Sequence, residues 1–244
     1  MEAPVVVVGD IHLGPGDPQV QAAFLAFLRS LHGRAAHLVL LGDVFDAWVG
    51  DAQRHARDVA EVLQALRDLA ASGTRLCFQP GNRDFLFRGA EGLDLTRWPD
   101  VVRAAWGPRR VLLTHGDLLC TADVGYLRLR KVLRSRVFLG LARSVPHAVR
   151  QGFGRLLRGA SRRKTRRAPR AAMGLDYAAA RDWLEGFGAD VLIAGHVHTG
   201  VHHRLPGTPP REILVLRDWE RGANVIRWDG DEVALRSVSV APAP

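Results

Sequence analysis

A chain of 244 residues, 47% of them hydrophobic and with a mean hydropathy of -0.03, is long enough for one α/β domain with a sizeable core, alone or with an insertion. No run approaches the roughly 20 apolar residues of a membrane span, and Met1-Glu2-Ala3-Pro4 lacks the basic start of a secretory signal. Cys77 and Cys120 form no paired motif, which excludes a disulfide framework or a thiolate metal site and reads as reduced thiols packed in a cytoplasmic protein.

The first predicted strand, residues 4–8, runs into Gly9-Asp10-Ile11-His12. Val20, Ala23, Phe24, Phe27, Leu28 and Leu31 then fall on one helical face. A second strand, 37–41, ends in Gly42-Asp43, and Val59, Val62, Leu63, Leu66 and Leu69 repeat the helical period. Residues 75–80 run into Gly81-Asn82-Arg83-Asp84, and 110–114 into His115-Gly116-Asp117. Strand, helix, strand, helix is the rhythm of layered α/β folds.

After Asp117 the character changes. Fifteen Lys and Arg stand between Arg128 and Arg170 with no Asp or Glu, a charge of +15 in a chain of net +9, which leaves -6 for the remainder. Val124, Leu127, Leu133, Val137, Phe138 and Leu141 interleave with them at helical spacing, as do Val149, Phe153, Leu156 and Leu157 beyond Pro146. Basic helices with an apolar face suit an anionic membrane, and a pair beside a catalytic sheet edge would form a lid. Ser161 to Arg167 taken alone would also fit RNA. Strand 190–194 then leads into Gly195-His196-Val197-His198. His202 and His203 read as solvent-facing. Residues 213–216, 223–228 and 233–238 read as antiparallel strands, the last two joined by Asp229-Gly230, and the final Ala-Pro-Ala-Pro as a frayed tail.

Five strand ends thus offer Asp, His and Asn at the carboxyl edge of a sheet, where open α/β folds keep their chemistry. Each alone reads as a turn, a cap or a core histidine. Together they suit Zn, Mn, Fe, Co or Ni. One carboxylate can bridge two ions roughly 3.5–4 Å apart, an arrangement that hydrolyses phosphate esters, and Asp43 is central enough to be that bridge.

The succession Asp-x-His, Gly-Asp, Gly-Asn-x-Asp, a lone His and Gly-His-x-His, spanning Asp10 to His198, resembles the calcineurin-like metallophosphoesterases. That resemblance implies a layered α/β sandwich of mixed sheets forming a single domain, with a helical lid inserted at about 120–175. It implies that Asp10, His12 and His198 hold one divalent ion, that Asn82, His115 and His196 hold a second, and that Asp43 joins both; Mn²⁺ is the metal it points to. Most of the family carries His after the Asn, as the acid for the leaving alkoxide. Arg83 stands there instead and cannot donate a proton, whereas a phosphate leaving group needs none.

Gly81-Asn82-Arg83-Asp84-Phe85, Gly42-Asp43-Val44-Phe45-Asp46-Ala47-Trp48, residues 115–123 with Tyr126, and Asp218-Trp219 before Gly222 are similar to the UDP-2,3-diacylglucosamine diphosphatases of lipid A synthesis. The chain departs from them at Val197, Thr199 and Gly200, and ahead of Ala172-Met173. The resemblance implies catalytic roles for Asp43, Asn82, Arg83 and His115, and substrate contacts from Asn82, Arg83, Asp123, Tyr126, Lys164 and His196. It further implies a lipid-linked UDP-sugar substrate, no nucleic acid, and a peripheral place on the cytoplasmic face of the bacterial inner membrane. A phosphodiesterase or nuclease is the rival enzyme, and a non-catalytic metal-binding module the rival of another class.

Overall fold

The computed structural model describes residues 4–14, 17–145, 149, 152, 174–207, 210–220, 222–230 and 232–238. Strands β1 (Val5–Val8), β2 (His37–Leu41) and β3 (Arg75–Gln79) run parallel, with Val8 beside Leu40 and Leu41 beside Gln79. Their Val and Leu runs are buried on both faces, which is why no polar alternation marks them. β4 (Leu95–Arg97) extends one edge of this sheet in parallel, and β10 (Asn224–Trp228) and β11 (Val233–Ser237) close the other as an antiparallel hairpin. A second sheet holds β5 (Val101–Trp106), β6 (Arg109–Thr114), β7 (Val191–Ala194), β9 (Arg211–Val215) and β8 (His202–Leu205), in that spatial order.

The two sheets pack through one set of alternating residues. Val5, Val7, Val39 and Leu41 meet Val111, Leu113, Val191, Ile193 and Leu214 in a single buried cluster. The opposite faces are covered by helices. Val6, Val8, Leu38, Leu40 and Phe78 pack under α1 (Pro18–Ser30) and α2 (Arg57–Ala71), while Leu112, Leu192 and Ile213 pack under α5 (Tyr177–Gly186). At roughly 1.5–3 kcal/mol for each buried Val, Leu or Ile side chain, this packing fixes the strand register and so the strand ends.

Two expectations are corrected. The segment 213–216 does not extend the C-terminal antiparallel strands; β9 belongs to the second sheet, parallel to β7 and antiparallel to β8. His202 is only partly exposed, its Nε2 lying 2.6 Å from Glu212 Oε2, whereas His203 is exposed as expected. Cys77 and Cys120 are buried and free, and burial pushes their thiols up to about 11 and about 12, so neither is a nucleophile.

The apolar face from Val124 to Leu141 divides into α3 (Val124–Leu133) and α4 (Arg136–Ser144), because Ser135 caps the second helix by accepting from Phe138 N at 3.2 Å. Val132 and Val137 remain 58% and 72% exposed. The expected helix through Phe153, Leu156 and Leu157, the frayed tail and Lys164 lie outside the described residues. No helix among the described residues is long and apolar enough to cross a membrane.

Candidate metal centre

Among the described residues, the non-glycine positions with positive φ are Asp10, His12, Asp43, His196 and His198, at 53°, 58°, 51°, 70° and 57°. All five come from the proposed ligand set. A left-handed backbone costs an L-residue about 1–2 kcal/mol, and such strain concentrates at functional sites. Here it turns the chain sharply at the strand ends, and neighbouring loops lock the turns. Ile11 N and His12 N donate to Asp43 O at 3.0 and 2.9 Å, and Asp10 N to Gly42 O at 3.1 Å.

The glycines of the motifs have a steric cause. A Cβ on Gly81 would lie 2.1 Å from Asp43 Oδ1, and one on Gly195 would lie 2.4 Å from Asp10 Oδ2. Only hydrogen fits where these backbones pass the carboxylates.

The donors converge. Asp10, His12 and His198 each bring a ligand atom into a group no more than 4.8 Å across, with His198 Nε2 3.2 Å from Asp10 Oδ1 and 3.3 Å from His12 Nε2. Asp10, Asp43 and His115 form a second such group. Asn82 Oδ1 lies 3.1 Å from His115 Nε2 and 3.0 Å from His196 Nδ1. Asp43 faces both sides, with Oδ2 4.0 Å from His12 Nδ1 and Oδ1 3.7 Å from His115 Nε2. The structure thus brings all seven expected ligands together. It departs from the expectation in placing Asp10 within reach of both groups.

Electrostatics favour cations here. Asp10 and Asp43 are buried side by side. Burial opposes a charge on His198, but hydrogen bonds to Asp10 and Asp218 outweigh it and raise that ring to about 10. Asp10, despite burial, is held below the usual carboxylate range by His198. Burial lowers His12 and His196 to about 4, leaving neutral rings with free lone pairs, and His12 Nδ1 is buried without a hydrogen-bond partner. Two further contacts orient rings: His198 Nδ1 lies 2.9 Å from Asp218 Oδ2, and His115 Nδ1 lies 3.0 Å from Leu41 O. Each contact occupies Nδ1 and turns Nε2 inward, fixing which ring nitrogen faces the cage. An N/O donor set of this charge fits two divalent ions.

Around the cage, Arg83 sits at the mouth. Its backbone N–H donates to Asp43 Oδ1 at 2.9 Å, its Nε is 3.6 Å from Asp43 Oδ2, and Nη1 pairs with Asp46. Asp84 ties two strand-end loops by accepting from Val44 N and Gly81 N, both at 2.8 Å; burial and the Asp43 charge raise it to about 7. Asp123 caps α3 by accepting from Tyr126 N at 2.9 Å. The Tyr126 ring stacks on His196 at 6.0 Å, and its hydroxyl donates to the buried Asp117 at 2.5 Å. The supporting roles of Asp117 and Asp218 were not foreseen, although both stand inside sequence motifs already noted.

Residues 3–200 match the calcineurin-like phosphoesterase family. The chain is 36% identical over 243 residues to a UDP-2,3-diacylglucosamine hydrolase of Pseudomonas syringae pv. tomato (strain ATCC BAA-871 / DC3000), covering 98% of this chain and 97% of that protein. It is 39% identical over 223 residues to the protein of the same name from Pseudomonas aeruginosa (strain UCBPP-PA14), covering 89% and 91%. The chain belongs to the calcineurin-like phosphoesterases, in the branch that holds the proteins named UDP-2,3-diacylglucosamine hydrolase.

Proposed function

We propose that the chain hydrolyses the diphosphate bond of UDP-2,3-diacylglucosamine to UMP and 2,3-diacylglucosamine 1-phosphate, with two Mn²⁺ ions as cofactor. The observation that carries this reading is a seven-donor cage with an arginine, not a histidine, at its mouth. Asp10, His12 and His198 would hold one ion, Asn82, His115 and His196 the other, and Asp43 both. When bound, the ions supply Lewis acidity to the phosphoryl oxygens and lower the pKa of water toward neutrality.

The protein supplies the rest. Water adds to the phosphorus nearer uridine as the bond to the bridging oxygen breaks, and the lipid 1-phosphate leaves without needing a proton. Arg83 neutralises the charge that grows on that leaving phosphate, which suits a guanidinium and not an acid. Tyr126 stays protonated through burial and its bond to Asp117, so it can only position. Asp123, Tyr126 and Lys164 would meet the glucosamine and acyl portion.

α3 and α4 would form a lid over the cage and a peripheral contact with the cytoplasmic face of the inner membrane. Exposed Val132 and Val137 among arginines support this. Purified protein with Mn²⁺ is expected to turn over diacylated UDP-glucosamine. Turnover of bis(p-nitrophenyl) phosphate or nucleic acid alone would overturn the assignment.

A further inference from the structure

Helix α3 contributes no buried residue to the core, so something other than apolar packing holds it against the site. Its inner face carries Tyr126 and Arg130, with Arg134 at its C-terminal cap, each four residues from the last. Arg130 Nε donates to Asp117 Oδ2 at 2.6 Å, the same oxygen that accepts from Tyr126, and Arg130 Nη2 lies 2.9 Å from Asp100 Oδ2. Asp100 uses its other oxygen for Arg134 Nη1. The second arm of that guanidinium, Nη2, donates to Gly81 O at 2.7 Å.

Each end of this ladder lands next to a residue of one metal subsite. Gly81 precedes Asn82, Asp117 follows His115 by two residues, and the Tyr126 ring lies on His196. The other subsite is braced differently, by Asp218 on His198. We propose that Asp100 and Arg134 are positioning residues for the ion held by Asn82, His115 and His196, acting through the Gly81 carbonyl. The proposal rests on the two-ion reading above. The rigid fork of arginine suits the task, since one planar group must satisfy a carboxylate and a carbonyl in fixed directions.

A merely structural role makes a different forecast. The pair is partly buried, with Arg134 14% and Asp100 34% exposed in their side chains, so a role in folding alone would lower the melting temperature and leave both metal affinities unchanged. Loss of a supporting contact typically weakens metal affinity 10–100-fold.

The test uses full-length protein stripped with chelator and titrated with Mn²⁺ by calorimetry. Asp100→Asn and Arg134→Gln are each expected to raise the dissociation constant of one of the two ions about tenfold or more and leave the other unchanged. Arg128→Ala, at an exposed position of the same helix, should change neither. Unchanged affinities in both variants would overturn the proposal. So would equal weakening of the two ions, or the same loss in Arg128→Ala. Wild-type protein that takes up fewer than two ions would overturn the two-ion reading itself, and this proposal with it.

Discussion

Gly81→Ala isolates the steric condition on which the cage depends. The added methyl carbon would stand 2.1 Å from Asp43 Oδ1, 2.3 Å from Asp43 N and 2.9 Å from Asp43 Cγ, where ordinary contacts begin near 3.4 Å. The backbone nitrogen cannot retreat without dragging the left-handed turn at Asp43, so relief must come from moving the shared carboxylate or the Asn82 loop by about 1 Å. Overpacking of this kind costs about 1–3 kcal/mol, which for a chain of this length is a fall in melting temperature of roughly 2–12 °C. A misplacement of about 1 Å can reduce turnover about 100-fold. The control is Gly33→Ala, where φ is 65° but nothing lies within 4 Å, so only backbone strain of about 1–2 kcal/mol applies. Both variants should melt earlier, whereas Gly81→Ala alone should lose an ion in a calorimetric Mn²⁺ titration. A Gly81→Ala protein that binds two ions and keeps turnover within a factor of about two of wild type would refute the reasoning.

Stripped of metal, the protein should lose stability as pH rises from 6.5 through about 10. Burial disfavours the charged His198, but its bonds to Asp10 and Asp218 raise it to about 10, so the folded chain keeps a proton that the unfolded chain releases near 6.5. Thermal melts that stay level or rise across that window would contradict this. Asp218→Asn should weaken one of the two ions by about 10–100-fold by loosening the His198 ring, as read by Mn²⁺ titration; equal affinity would remove Asp218 from the support of the site. Arg83→Ala should lower kcat/KM for the lipid diphosphate about 10–100-fold, the worth of a charged hydrogen bond, while both ions bind normally, and a loss of ions instead would make Arg83 a structural residue. Val132→Asp with Val137→Asp should reduce sedimentation with anionic vesicles at least about tenfold, each valine carrying roughly 2 kcal/mol of burial. Unchanged sedimentation would remove this face from membrane contact.

The site was legible because each ligand follows an apolar run that can only be a buried strand. The residues 5–8, 37–41 and 191–194 carry no competing helical period, and Gly81 and Gly195, each just before a ligand, stand where the backbone passes the Asp43 and Asp10 carboxylates. What escaped depends on tertiary partners. β4 is only three residues long with Thr96 and Arg97 exposed, and the apolar run of β5 is broken by the exposed Arg103, so neither shows the uninterrupted run of the ligand-bearing strands. The direction of β9 is set by its neighbour β7 and not by its own residues, since Ile213, Leu214 and Val215 would suit either orientation. The break between α3 and α4 hides behind apolar spacing that continues across it, and only the Ser135 cap reveals it. Asp100 and Arg134 are 34 positions apart and join no motif; their pairing exists only once the strands have placed them.

The five left-handed donors set the protein's interests against each other. A glycine at any of them would relax the local backbone and delete a cation donor in the same step. At Asp10, Asp43 and His198 it would also break buried hydrogen bonds that hold the loops together, so the strain relieved at these corners is offset by bonds lost and the left-handed turns are kept by the same contacts that aim the donors.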